Sequence, residues 1–159
     1  MKPTNWKDTA ELVGIAAIVL GLILVAYELR QNTQMMRAQT RAQITEKVIE
    51  LFSVNMNDQD YANVLIRGNN LEELSAVEQY QYSRHRNAWA SYWINVAYQH
   101  KMGMYDEAEF TQHMANIRSD METFPGLKIH WCAWRNRASP ELIEALEGDL
   151  SGSYCGVLE

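Results

Sequence analysis

The stretch Leu12–Tyr27, LVGIAAIVLGLILVAY, decides the fold. It contains no charge, no proline and no strongly polar side chain. As a helix it spans about 24 Å, slightly less than a hydrocarbon core of about 30 Å. The flanks close the gap, because Trp6 and Tyr27 fall about 31 Å apart on the same helix and supply an aromatic residue for each interface. A buried core helix and a cleaved secretory signal are the competing readings. A signal has a shorter apolar region, and Tyr27-Glu28-Leu29-Arg30 offers no small-x-small cleavage site. Residues 12–29 are therefore expected to form an uncleaved transmembrane anchor behind a polar lead at residues 1–11.

Lys2 and Lys7 precede the span, whereas Arg30, Arg37, Arg41 and Lys47 follow it. Counting basic residues places the C-terminal side in the cytoplasm by a small margin. Cys132 and Cys155 are compatible with that reducing compartment, and would be free to pair if the domain were periplasmic.

The rest of the chain is long enough for one domain of about 130 residues with a core of its own. A net charge of −6, without a large basic face, argues against a nucleic-acid partner. Three prolines, eight glycines and few alternating β-branched runs predict an all-α fold. In it, the N-terminal transmembrane helix continues into a long helix that packs in a small helical bundle. No solenoid repeat or low-complexity tract interrupts it.

Neither glycine nor proline occurs between Gly21 and Gly68, so the membrane helix is expected to run on through an extension at residues 30–57. Every third or fourth residue along it forms a seam with a coiled-coil period: Ala10, Gly14, Ala17, Gly21, Leu24 and Glu28, then Gln31, Met35, Ala38, Ala42, Thr45, Ile49, Phe52 and Met56. Small residues line its membrane half, where they allow two backbones to approach closely. Arg41 and Glu46 flank the seam at a spacing suited to pairing across a parallel dimer. Against self-association, Gln31, Ala38, Ala42 and Thr45 make a weak aqueous seam. A second stripe, Ile44, Val48 and Leu51, widens the apolar face as expected for a helix entering a globular core. Arg37 and Arg41 read as a solvated face.

Residues 58–148 then divide into helices. Asp58-Gln59-Asp60 opens a short one, Tyr61 to Arg67, ending at Gly68. Ser75-Ala76-Val77-Glu78 has capping-box spacing and starts a central helix to Lys101, ended by Gly103. Tyr82, Trp89, Tyr92, Trp93 and Val96 share one face of it; Val77, Arg84, Ala88, Ser91, Asn95 and Tyr98 share another. Asp106 begins the next, with Phe110, Met114, Ile117 and Met121 as its apolar stripe. After the break at Phe124-Pro125-Gly126, a helix is expected over Leu127–Arg137. A last one, capped by Ser139 with Pro140 in its first turn, carries Leu142, Ile143 and Leu146 to Gly148. Residues 149–159 are expected to be a flexible tail.

No metal site and no cofactor is expected. The chain lacks paired Glu-x-x-His motifs, His-Glu-x-x-His and Cys-x-x-Cys, and Glu109 with His113 reads as a surface hydrogen bond. No phosphate loop or nucleophile elbow occurs, and Cys132 reads as a small buried hydrophobe, so no catalytic residue is assigned. One set has functional colour: Trp89, Tyr92, Trp93, Trp131 and Trp134, with Arg86 and Arg135, would suit a pocket for an apolar or planar ligand, although core packing is the more usual explanation of aromatics at helical spacing.

Tyr27-Glu28-Leu29-Arg30-Gln31-Asn32 after the span resembles the opening of a group of bacterial single-span membrane proteins with a helical soluble domain. Trp89, the turn at Gly103, and Trp131 with Arg135 before Ser139-Pro140-Glu141 fit the same group. The resemblance implies a bacterial inner-membrane location and this helical architecture, and it carries no activity to transfer. The leading expectation is a non-enzymatic interaction or accessory protein on the lipid bilayer, a homo-oligomer or part of a larger membrane complex. The alternative is a membrane-tethered sensor or ligand-binding domain built on the tryptophans. An enzyme would require histidines or carboxylates meeting in a cleft.

Overall fold

The computed structural model describes residues 6–148 and 154–156. Among them are six α-helices, one 3-10 turn and no strand: α1 (Trp6–Met56), α2 (Gln59–Asn69), α3 (Ala76–Lys101), α4 (Glu107–Thr123), α5 (Pro125–Trp134), the 3-10 turn Arg135–Arg137, and α6 (Pro140–Glu147). The all-α expectation holds. The chain divides into two units, one ending at Gln39 and the other beginning at Thr40.

In the first unit α1 begins at Trp6, so the described part of the polar lead, residues 6–11, is already helical, and residues 1–5 lie outside the described residues. Its apolar window is long enough to cross a membrane, and none of it is buried in the protein. A core helix would be covered by its own fold; here Ile18 is 65% and Leu22 65% exposed. Leu24 is exposed too, as are Ala10, Ala17 and Glu28, and a Cβ built on Gly14 or Gly21 meets nothing within 4 Å.

The second unit is organised on α3, which packs against α2, α4, α5 and α6. Ile44, Trp93, Val96, Met114, Met121, Trp131, Leu142 and Leu146 belong to one core, and each such fully buried side chain contributes about 1.5–3 kcal/mol. The α4 stripe is buried as expected: Phe110, Met114, Ile117 and Met121. Of the two stripes at the end of α1, Ile44 is buried with Val48 and Leu51 packed on the core, while Ile49 and Met56 of the seam face outward. Arg41 is exposed, as expected of a solvated face, and it also pairs with Glu109 at 2.6 Å within the same chain.

The helix starts follow side-chain chemistry. Asp58 accepts from the Tyr61 amide, Asp106 from Ala108 and Glu109, and Ser139 from Leu142, while Ser75 and Glu78 form the reciprocal box. Each cap contributes about 1 kcal/mol.

Several boundaries differ from expectation. Gly68 does not stop α2 but lies inside it. The Tyr82 ring would sit 2.4 Å from a Cβ at Gly68, and the Gly68 carbonyl 2.1 Å from one at Gly126. The two glycines thus serve close approach of α2, α3 and α5. The helix expected from Leu127 begins instead at Pro125, whose missing N–H is harmless in a first turn, and its end tightens into the 3-10 turn at Arg135.

The expected flexible tail is corrected where it is described. Tyr154 is 7% exposed, its hydroxyl meets Met121 Sδ at 3.6 Å, and Lys128 Nζ lies 4.5 Å from its ring centroid. Cys155 is disulfide-bonded to Cys132, so Cys132 is a cross-link rather than a free buried thiol. Residues 149–153 and 157–159 lie outside the described residues.

Candidate functional site

Within the second unit a half-open cavity of about 500 Å³ lies between the end of α1 and helices α2, α3, α4 and α5. Its apolar wall comes from Val48, Phe52, Leu65, Ile66, Trp89, Trp93, Ile117, Phe124 and Leu127. Phe52 meets Trp89 edge-on, with centroids 5.1 Å apart. The polar wall is Asn69, His85, Arg86, His113, Asn116 and Asp120. Local periodicity assembles this wall. His85 and Trp89 lie four residues apart on α3, and His113, Ile117 and Asp120 follow at four and then three on α4.

Arg86 dominates the site. It is only 8% exposed, donates to Asn69 Oδ1 at 2.7 Å and lies 5.2 Å from the Tyr82 ring centroid. Tyr82 donates to the same Asn69 oxygen at 3.1 Å. The Nε of Arg86 is buried without an acceptor, and no carboxylate among the described residues closes to an ion pair with it. Burial pulls its pKa down, although an arginine remains charged at neutral pH. A buried, uncompensated cation is costly, so this is the site's chemical signature.

The two histidines beside it are neutral at pH 7. Burial, reinforced by Arg86, holds His85 down to about 4, and its Nε2 accepts from Trp89 Nε1 at 2.9 Å. Burial also lowers His113, whose Nε2 is unpartnered and whose ring meets Tyr92 edge-on at 5.6 Å. Burial raises the Asp120 carboxyl, with Arg86 opposing. The lining holds no Ser, Thr, Cys or Lys among the described residues, which gives no protein nucleophile of those types. No cluster of three or more metal-ligating side chains occurs among the described residues.

No protein-family model matches the chain, and neither a curated protein nor a solved structure shows significant similarity to it. The site must therefore be read from its own chemistry.

The structure separates the aromatic set singled out in the sequence. Tyr92, Trp93, Trp131 and Trp134 are buried in the core, with Trp93–Trp131 and Trp131–Trp134 centroids each 6.3 Å apart. They do not form a pocket together, because their helical spacing points them at the facing helices; only Trp89 and Trp93 reach the cavity. Arg135 lies elsewhere, held by Glu147 together with the Trp131 indole. Arg86, placed with the aromatic set in the sequence, does line the cavity. His85 and Asp120 were not singled out there, although their spacing relative to Trp89 and Ile117 was a usable signal; His113, read as a surface partner of Glu109, instead lines the cavity with a buried Nε2, and Glu109 pairs with Arg41.

Neutral buried histidines make stability pH-dependent. Between about pH 6.5 and 4 the unfolded chain protonates at His85 while the folded protein does not, so stability is full above that window and falls as pH drops through it. The loss at His85 is about 2–3 kcal/mol, and His113 and His130 act in the same direction. Urea midpoints followed by tryptophan fluorescence will fall between pH 7 and pH 4.5, less so in His85→Gln; equal slopes in both proteins would contradict this.

Proposed function

We propose that this protein is a single-span, membrane-anchored binding module, whose helical domain holds a small ligand in the cavity beside Arg86. The observation that carries this reading is a sizeable, half-open apolar cavity with an uncompensated buried guanidinium in its wall. Ligand sites combine these two features, shape and apolar area for affinity with a few placed polar groups for orientation. The uncovered apolar helix preceding the domain suits insertion in a bilayer. Ligand-observed NMR of the full chain in nanodiscs, against mixed neutral and acidic fragments, tests the reading. Fragments will bind the wild type and lose binding in Ala62→Trp, because Ala62 of α2 lines the cavity and the larger side chain fills it. If no fragment distinguishes the two proteins, the reading fails.

The orientation we propose puts the helical domain on the oxidising side of a bacterial inner membrane. The Cys132–Cys155 bond supports this side, since disulfides persist outside the cytoplasm. It outweighs the small margin of basic residues that favours the opposite orientation.

Self-association is a second reading, supported by the small residues Ala10, Gly14, Ala17 and Gly21 spaced along one side of the uncovered helix. Joint replacement of both by leucine will lower the cross-linked oligomer in membranes severalfold, and an unchanged yield rejects the seam at Ala10, Gly14, Ala17, Gly21, Leu24 and Glu28. Arg41 gives no support to the aqueous half, because Glu109 already occupies it.

A further inference from the structure

Resting on the binding-module reading, we infer that the ligand is a monocarboxylate with an apolar body, its carboxylate against Arg86 and its body between Trp89, Trp93, Phe124 and Ile117. The charge follows from the inventory of the wall. Among the described residues Arg86 is the single cationic side chain lining the cavity, because His85 and His113 stay neutral and no lysine reaches it. It is more than nine-tenths buried, donates to Asn69, lies against Tyr82, and has an Nε without an acceptor. The planar fork of a guanidinium matches a carboxylate, and the charge-assisted hydrogen bonds formed there are stronger than neutral ones.

The same inventory argues against a dianion. Asp120 lines the cavity without closing to an ion pair with Arg86, so Arg86 is left to take one ligand carboxylate while Asp120 repels any further negative charge. A second ligand charge would meet Asp120 with nothing to balance it. The aromatic and aliphatic wall then sets the rest of the molecule, since an apolar body is stabilised as its surface is removed from water.

The experiment compares a short series of aryl and alkyl carboxylates, 3-phenylpropionate and octanoate among them, with their neutral amides. Binding is measured to the full chain in nanodiscs of zwitterionic lipid. The carboxylates are expected to bind at least tenfold tighter than their amides, and Arg86→Met to erase that preference. Asp120→Asn, an exposed change that spares the core, will strengthen the carboxylates severalfold and leave the amides unchanged. Equal binding of acid and amide, or carboxylate affinity unmoved by Asp120→Asn, would overturn the monocarboxylate assignment while the binding module stands. Preference for a phosphate monoester over the carboxylates would also overturn it. If neither acids nor amides bind at any length, the binding-module reading falls and takes this inference with it.

Discussion

Replacing Arg135 by leucine will destabilise the helical domain by about 4 kcal/mol, because it strands a buried carboxylate. Glu147 has a side chain that is 0% exposed. Its Oε1 accepts from Trp131 Nε1 and Arg135 Nε, both at 2.9 Å, and its Oε2 accepts from Arg135 at 2.6 Å. These bonds tie the end of α5 to the end of α6, and Arg118 adds donors to the Ala145 and Leu146 carbonyls at the same place. Removing the cation leaves Glu147 to be ionised without a counter-charge or protonated at a cost. The double variant Arg135→Leu/Glu147→Leu will recover part of the loss, since no buried charge is left unpaired, although the buried Trp131 indole N–H then lacks its acceptor. Urea unfolding followed by tryptophan fluorescence is a suitable reporter, because Trp131 lies in the network. A loss below about 1 kcal/mol for the single variant would contradict this role.

The second large effect is expected at the cross-link. Cys155→Ser will cost about 3 kcal/mol, the loop-closure value for a sequence separation of 23. It also releases Tyr154 from its contact with Met121. Wild-type protein in reductant will unfold at the midpoint of the variant, and reductant will not affect the variant further. The same cysteines report on orientation: a maleimide mass tag added to lysed, denatured cells will label them only after reduction. Labelling without reductant, or equal stability of wild type and Cys155→Ser, would remove the bond and with it the argument for an oxidising compartment.

Local chemistry made much of this fold legible. The box Ser75-Ala76-Val77-Glu78 and the cap-and-proline pair Ser139-Pro140 act within a single turn, so their partners are visible in the sequence. The stripe from Phe110 to Met121 was readable because a helix with one buried face must repeat at this period. Gly68 misled for the opposite reason. Its role is to admit the Tyr82 ring and Gly126 from other helices, and that approach leaves no local mark. The pairing of Cys132 with Cys155 is likewise tertiary, as is the choice of Glu109 by Arg41.

The binding site was legible only in part. Tryptophans at helical spacing identified a wide aromatic surface, but not that Trp131 and Trp134 turn inward while Trp89 borders a cavity. What identifies the cavity is a deficit, a buried Arg86 without a carboxylate, and a deficit appears only when every neighbour has been placed. The polar residues around it come from three helices, α2, α3 and α4.

The central claim is tested most directly by native mass spectrometry of the full chain released from nanodiscs, with the identity of every bound small molecule determined. The account predicts a small acid retained by the wild type and absent from Ala62→Trp and Arg86→Met, whatever the oligomeric mass. A wild type that carries only lipid, in amounts matching both variants, would contradict it.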